Sequence, residues 1–284
     1  MAIWFGRFCA RKPLGAVGLV IVLGLLLLAA GADLLAPHPY DETMSDARMR
    51  PPGPAFWMGT DNLGRDVMSR VIYGARISVT VGFGAVLLGT VLATLIGVTS
   101  GYFAGRYDVI VQRVVDAWQA FPFLVIILSL MAVLGPGMLN VILALGVVGA
   151  AGASRVIRGA TLGVVQNAYV EAARALGCGH LRIIVRHVLP NVAATIIVLS
   201  TIGLGAAILA ESALSFLGFG VPPPYPSWGA MLSGSGRSYM YQAPWMALWP
   251  GAAISLAVYG FNMLGDALRD ILDPRLRGGS ARME

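Results

Sequence analysis

The stretch from Ile77 to Gly105, ISVTVGFGAVLLGTVLATLIGVTSGYFAG, contains no charged side chain. Because a helix needs about 20 mostly apolar residues to cross the hydrocarbon core of a bilayer, this stretch predicts a membrane span. Four other uncharged runs reach that length, at residues 13–32, 117–154, 188–210 and 238–265. The turn signal Gly135-Pro136-Gly137 divides the second of these in two. We therefore predict an all-α polytopic membrane protein with six spans, at about 14–35, 77–103, 117–134, 138–154, 192–219 and 249–268.

The composition agrees with a protein of the bilayer. Apolar residues make up 57% of the 284-residue chain and charged residues 12%, about half of the ~25% that is usual in soluble domains. The first uncharged run follows Arg11 and Lys12 and ends in small residues, so a cleaved signal peptide is an alternative to a span. A signal-peptide core has roughly 7–15 apolar residues, and this longer run favours a retained span.

The basic residues predict the orientation, because cytoplasmic loops carry an excess of Lys and Arg. With both termini in the cytoplasm, 14 of the 20 basic residues lie inside, and the six outside are balanced by six acidic residues. The net charge of +6 is thus a cytoplasmic excess and gives no reason to expect a nucleic-acid partner. Cys9 and Cys178 fall on the reducing side, so we expect no disulfide, and with the three histidines they form no metal-ligand pattern.

Three segments are predicted. Residues 1–76 hold an N-terminal tail, the first span and an outer segment, in which 66–76 is either a short interfacial amphipathic helix or the entry to the second span. Residues 77–268 form a five-helix core with a cytoplasmic loop at 159–190 and an outer loop at 220–245, and 269–284 form a cytoplasmic tail. We expect a brief inner turn at 105–108, a kink at Phe121-Pro122 and an Arg113–Asp116 pair. Aromatic residues of the outer loop indicate an interfacial belt: Trp228, Tyr239, Tyr241, Trp245 and Trp249.

A charged island interrupts the apolar runs between Tyr169 and Asn191, with the sequence YVEAARALGCGHLRIIVRHVLPN. Strong helix formers lead to Gly177, a residue that commonly ends a helix, and a second short helix follows with Pro190 limiting its extension. The second helix carries an apolar stripe of Leu181, Ile184, Val185 and Val188. Such a two-helix elbow is either a docking surface for a soluble partner or an interfacial hairpin on the inner leaflet.

Glu211 is the one ionisable residue well inside a predicted span. Ionisable groups within the membrane usually face protein or water. Two interpretations remain open at this stage. Glu211 lines the path of the transported solute, or it is a structural carboxylate that is hydrogen-bonded to a neighbouring helix.

The spacing of the island resembles the coupling loop of bacterial ABC importer permeases, EAA-x3-G-x9-I-x-LP, although His187 stands where the pattern has Ile. Further strings, residues 59–66, 211–218 and 262–275, resemble the C-type permease of dipeptide, oligopeptide and nickel importers. The resemblance implies a type I importer permease fold and contact of the island with an ATPase. The implied coupling residues are Glu171, Ala172, Ala173, Arg174, Gly177, Arg182, Arg186, His187, Leu189 and Pro190.

The same resemblance implies a bacterial inner-membrane complex. Its other members would be a second homologous permease, two ATP-binding subunits on the cytoplasmic face and an outer solute-binding protein. ATP and Mg would bind the ATPase subunits, because the single lysine of this chain, Lys12, lies outside any P-loop pattern, and no catalytic residues are expected here. Di- or oligopeptides are the expected cargo, with nickel, glutathione or another small solute as alternatives. A stand-alone secondary transporter or channel, and an intramembrane enzyme, are more distant alternatives.

Overall fold

A computed structural model describes residues 12–272, so the predictions for residues 1–11, including Cys9, and for the tail beyond Leu272 lie outside it. The described part is helical and contains no named β-strand. The helices, in chain order, are α1 Pro13–Ala30, α2 Ala32–Leu35, α3 Val67–Phe103, α4 Gly105–Gln119, α5 Phe123–Leu134, α6 Met138–Val165, α7 Ala168–Ala175, α8 His180–Ile183, α9 Leu189–Phe216, α10 Trp228–Ser233, α11 Ser235–Ser238 and α12 Trp245–Leu272. A 3₁₀ turn covers Ser45–Ala47 and a π-helical turn covers Ile184–Val188.

Five helices are long and apolar enough to cross a membrane, namely α1, α3, α6, α12 and the continuous helix His180–Phe216. A sixth span exists only if α4 and α5, which meet at a bend of 86°, are counted together. The all-α class with multiple spans is therefore confirmed. The predicted third span over about 117–134 is divided between the end of α4 and α5, and its crossing of the membrane stays a prediction.

The break at residues 120–122 has a local cause. Proline disfavours helical backbone in the residue before it, so Phe121-Pro122 favours a break after α4. Pro122 itself is extended (φ −58°, ψ 134°), and α5 starts immediately after it. With 12 residues, α5 is about 18 Å long and falls short of the ~30 Å hydrocarbon core. The predicted kink at Phe121-Pro122 is thus present as a bend of 86° between α4 and α5.

The expected inner turn at 105–108 is wrong in its position, because α3 ends and α4 begins on either side of the single residue Ala104. Ala104 has a positive φ of 51°, and α4 begins directly after it at Gly105. Residues 105–108 therefore form the first turn of a 15-residue helix. The Arg113–Asp116 pair predicted within this helix is present, with Nη1 and Oδ2 3.6 Å apart.

The helix α3 is the central element of the bundle. It starts at residue 67 and continues without interruption to Phe103, so residues 66–76 are the entry to the second span and not a separate interfacial helix. The Asp66 carboxylate caps its N-terminus by accepting a hydrogen bond from the Ser69 amide. Along its length α3 packs most extensively against α6. At Gly89 a Cβ atom would lie 3.0 Å from the Gly146 carbonyl oxygen, so small residues allow this close packing.

Residues 37–66 and 217–244 pack together over the N-terminal end of α3, and we call them the loop layer. The indole of Trp228 is 2% exposed and donates a hydrogen bond to the Val71 carbonyl at 2.9 Å. Trp245 donates to the Thr60 carbonyl at 3.0 Å and packs, like Trp249, against the hydrophobic core. The predicted aromatic belt is therefore wrong for Trp228, which is buried, and the N–H of Trp245 is also used within the protein. The N–H of Trp249 is buried without an acceptor among the described residues.

Candidate functional site

The first helix of the island, α7, ends in a Schellman motif. The Gly177 amide donates to the Arg174 carbonyl at 2.9 Å, and the Cys178 amide donates to the Ala173 carbonyl at 3.1 Å. Gly177 has a φ of +77°, in the left-handed region that glycine enters without steric cost, and no atom would contact a Cβ there. The predicted glycine-terminated helix is thus present, and the bend after it has a defined geometry. We call residues 169–191 the elbow.

The second helix of the elbow differs from the prediction, because it does not end at Pro190. Residues His180–Phe216 are one continuous helix that includes most of the fifth predicted span. Proline lacks an N–H and clashes with the carbonyl four residues earlier, here that of Arg186. The π turn Ile184–Val188, in which the Leu189 amide donates to the Ile184 carbonyl, widens the helix just before the proline. Asn191 Nδ2 bonds the His187 carbonyl at 2.6 Å.

Buried side chains attach the elbow to the ends of the spans. Val170, Ile183 and Val188 are fully buried and belong to a cluster that includes Tyr102 of α3 and Ile157 of α6. The predicted apolar stripe is only partly right, since Leu181 and Val185 are exposed and the buried Ile183 was not part of it. The elbow therefore rests on α3, α6 and its own continuation into α9.

Tyr102 is the polar contact between α3 and the elbow. Its hydroxyl lies 2.9 Å from His180 Nδ1, and the Arg174 guanidinium lies over its ring, 5.3 Å from the centroid. Such a cation–π contact is worth about 0.5–1 kcal/mol at an exposed site. Arg174 thus contacts α3 and forms no ion pair with Glu171 among the described residues, although their spacing allows one.

The elbow presents a mixed surface of charged and apolar groups. Glu171, Ala172, Arg182, Arg186 and Pro190 are exposed, as are Arg174 and Gly177, while His187 and Leu189 are half-buried and Ala173 is buried. Two large apolar side chains are mostly exposed at its tip, Leu176 at 84% and Leu181 at 75%. These leucines and charges are therefore accessible to a partner protein.

Glu211 lies away from the elbow and is completely enclosed. Its carboxylate accepts hydrogen bonds from Ser215 on its own helix at 2.7 Å, from Ser78 of α3 at 3.3 Å and from Ser212 at 3.4 Å. Two of these donors come from the same helix, and Ser78 links the carboxylate to a neighbouring helix. The contact with Ser215 could be predicted from the sequence, because Ser215 follows four residues later on the same helix face. The contact with Ser78 could not, because Ser78 lies on another helix.

Comparison with known proteins shows the family of this chain. Residues 67–278 match the family described as binding-protein-dependent transport system inner membrane component. The chain belongs to this family. Residues 4–52 also match the N-terminal TM domain of oligopeptide transport permease C. The permease is thus a multi-pass inner-membrane component of an ABC importer, a machine that works with ATPase and solute-binding partners, and is not itself a catalytic subunit.

Individual relatives narrow the relationship. The permease is 41% identical to the dipeptide transport system permease protein DppC of Alkalihalophilus pseudofirmus, over 94% of this chain and 88% of the relative. It is 39% identical to the glutathione transport system permease protein GsiD of Pectobacterium atrosepticum, over 95% and 90%. The inward-facing MetNI methionine ABC transporter shares its fold with a TM-score of 0.60 at 18% identity, over 73% of this chain and 98% of that one. The type I importer permease fold is therefore confirmed.

A network of ion pairs near the elbow escaped the sequence analysis. Asp108 of α4 is 8% exposed and accepts hydrogen bonds from Arg158 of α6 and Ser100 of α3. Asp116 is paired with Arg155 as well as with Arg113. These pairs fasten α4 to α6 beside the elbow. Arg155 and Arg158 entered the sequence analysis only as part of the cytoplasmic charge count, because pairing across 50 residues has no local pattern.

A largely apolar cavity of about 220 Å³ opens between α3, α5, α6 and α9. Its few polar side chains include Thr90 and Ser200, whose hydroxyls bond each other at 2.9 Å. Glu211 is not among the lining residues. The described structure thus gives Glu211 hydrogen-bond partners but no access to this cavity.

Proposed function

We propose that this permease forms half of the translocation pathway of an ATP-driven importer of di- or oligopeptides, together with a second homologous permease. The observation that carries the proposal is the elbow, a rigidly ended helical projection with exposed leucines and unpaired charges. The names of the relatives support the cargo, since the proteins most similar over nearly the whole chain include a dipeptide permease and other peptide permeases.

In this proposal the elbow and both termini lie in the cytoplasm. The described basic residues at the elbow end of the bundle include Arg106, Arg155, Arg158, Arg182 and Arg186, which supports that side as the inner one. The loop layer then faces outward, toward a solute-binding protein. Two ATP-binding subunits, carrying ATP and Mg, dock on the elbows of the two permeases.

Docking of the elbow follows the helix-in-groove mode of recognition. Leu176 and Leu181 enter an apolar groove on the ATPase subunit, while Glu171, Arg182 and Arg186 pair with charges at its rim. The buried Val170, Ile183 and Val188 hold the elbow against the spans, so its displacement is passed on to α3, α6 and α9. Closure of the ATPases then rotates these helices as rigid bodies and alternates access to the pathway.

The proposal is tested in transporter reconstituted with both permeases, the ATPase subunits and the solute-binding protein. Glu171→Arg reverses an exposed charge, and Gly177→Pro removes both the left-handed turn and the amide that bonds Arg174. Both variants are expected to lose substrate-stimulated ATP hydrolysis by about tenfold, which corresponds to about 1.4 kcal/mol. Glu171→Arg replaces an attractive contact at the rim with a repulsive one, and Gly177→Pro distorts the elbow. Asp46→Arg, an exposed reversal in the loop layer, is the matched control. If ATPase assembly and stimulated hydrolysis survive both elbow variants, the docking role is wrong.

Glutathione is the second candidate cargo, because a 39% identical relative carries that name. The two cargoes are separated by identifying the ligand that co-purifies with the solute-binding protein and by measuring uptake of labelled dipeptide against labelled glutathione in proteoliposomes. Preferred uptake of glutathione would replace the dipeptide assignment and leave the importer assignment intact.

For Glu211 we propose a structural role. Its three serine donors and full burial support a carboxylate that ties α9 to α3, and its absence from the cavity lining gives no support to a contact with the cargo.

A further inference from the structure

A second cavity, of about 240 Å³, lies in the loop layer at the end of the bundle opposite the elbow. Its charged and polar lining residues include Asp61, Asn62, Arg65 and Arg70. Val221, Tyr225 and Met231 are also part of the lining and add apolar surface. Leu63 and Tyr225 are exposed, so the cavity meets the surface. Its volume is below the ~300–1,000 Å³ of sites for whole small ligands, and it suits a single side chain better.

Arg70 differs from the other residues of this cavity, because it is a buried cation and several of its N–H donors have no acceptor among the described residues. It is 8% exposed, and the hydrogen bond that its side chain makes within the described residues runs from Nη1 to the Tyr40 carbonyl, at 2.9 Å. Its Nε lies 3.8 Å from Asp61 Oδ2, too far for a hydrogen bond. A guanidinium has five N–H donors, so most of those of Arg70 have no acceptor here.

The nearest carboxylate is already occupied. Asp61 accepts hydrogen bonds from the Leu63 amide at 2.8 Å, the Arg65 amide at 3.0 Å and Arg65 Nε at 2.7 Å. Asp61 therefore balances Arg65 and leaves the charge of Arg70 without a matching ion pair at hydrogen-bonding distance. Burying a charge is costly unless it is paired and hydrogen-bonded.

Asn62 provides a second group without a partner. Its Oδ1 atom is buried in the cavity wall and accepts no hydrogen bond within the described part of the chain. A guanidinium with donors to spare and an amide oxygen without a donor line the same cavity, and together they fit an incoming carboxylate and the N–H group of the same segment. The apolar lining residues suit the methylene groups of that side chain.

We propose that this cavity receives an aspartate or glutamate side chain of the docked solute-binding protein, with Arg70 as its ion-pair partner. The inference rests on the proposed function, which places the loop layer on the outer side. The occupant comes from outside because the cavity opens at the surface of the loop layer and holds one side chain. Insertion of the carboxylate would fix the position of the docked binding protein on the permease while the solute is released.

The experiment measures binding of peptide-loaded solute-binding protein to the complete transporter in nanodiscs, together with stimulation of ATP hydrolysis. Asn62→Asp adds a negative charge at a buried atom without a partner and breaks no described hydrogen bond, and assembly of the complex on size-exclusion chromatography checks that the variant folds. We expect it to raise the Kd of the binding protein roughly tenfold by repulsion, with a similar effect of Arg70→Gln. Arg48→Gln, an exposed change of equal charge in the same layer, is expected to alter the Kd less than about twofold.

The binding and hydrolysis measurements each have a result that overturns the proposal. Binding by the Asn62→Asp transporter within about twofold of wild type overturns the proposal. The proposal is also overturned if free peptide, without binding protein, stimulates ATP hydrolysis and Asn62→Asp abolishes this stimulation. The cavity would then hold substrate. If the wild-type transporter itself neither binds the loaded protein nor responds to it, the proposed function fails, and this result is distinct from failure of the cavity alone.

Discussion

At one end of α3, Asp61 and Asp66 are buried and accept hydrogen bonds from their own segment, whereas at the other end Glu171 projects from α7 with an exposed side chain. Two indole N–H groups also find acceptors inside the protein: Trp228 of the loop layer donates to the Val71 carbonyl, and Trp245 of α12 donates to the Thr60 carbonyl of the loop layer. The elbow instead buries apolar anchors and leaves its charges outside. Substitutions in and beneath the loop layer should therefore affect stability, and substitutions on the elbow should affect coupling.

Glu211 lies directly beneath the loop layer, and Glu211→Leu should give the largest loss of stability. Ser78, Ser212 and Ser215 would lose their common acceptor in a buried site, and the free energy of unfolding should fall by about 2–3 kcal/mol. The measurement is SDS titration of the purified permease complex in mixed micelles. Glu211→Gln keeps an acceptor oxygen and should cost less. A stable Glu211→Leu complex that has lost transport would place the carboxylate on the cargo path instead.

Asp66→Ala should have the next largest effect. It removes the N-cap of α3 and the acceptor of the Ser69 hydroxyl, at a cost of about 1–2 kcal/mol in the same titration. The exposed Asp46→Ala of the same layer should stay within about 0.5 kcal/mol of wild type. Equal effects of the two substitutions would contradict the internal role of the buried carboxylates.

Gly177→Ala tests the local geometry of the elbow. A Cβ in the left-handed conformation costs about 1–2 kcal/mol, although the site has open space around it. Hydrogen exchange of the amides of residues 177 and 178 should accelerate, and stimulated ATP hydrolysis should fall. The SDS titration should show a loss of no more than about 1–2 kcal/mol. Gly179→Ala is the matched control, because Gly179 also has open space but an ordinary φ of −64°. Identical behaviour of the two variants would contradict a role for the left-handed turn.

The smallest effect is expected from pH at the Asp33–Arg76 pair. Hydrogen bonds from Arg76 and then Tyr73 lower the pKa of the Asp33 carboxyl below its ordinary value. A lowered pKa means that the pair contributes stability above the ordinary pKa and loses it as pH falls through the folded value. The difference between wild type and Asp33→Asn, measured by SDS titration, should be small at neutral pH and vanish in acid. A difference that grew on acidification would contradict this assignment.

The sequence was sufficient for features that depend on local pattern. Apolar runs predicted the spans, and helix formers before Gly177 predicted where α7 ends. Features that depend on neighbours were missed. Pro190 was expected to end a helix, but the π turn accommodates it. Trp228 was expected at the membrane surface, but its N–H has an acceptor on α3. The pairing of Asp108 with Arg158 joins residues far apart in the chain, which a single sequence does not reveal.

The uninterrupted helix from His180 to Phe216 has a mechanical consequence. Its 37 residues correspond to about 55 Å at 1.5 Å per residue, so the elbow and the far end of the span are two ends of one stiff lever. A tilt of about 5° at the inner end would swing the other end by roughly 5 Å. The only irregular turn described along it, Ile184–Val188, lies within the elbow, and the long arm Leu189–Phe216 is regular α-helix. A small movement of a docked partner would thus be amplified across the membrane without any part of the span unfolding.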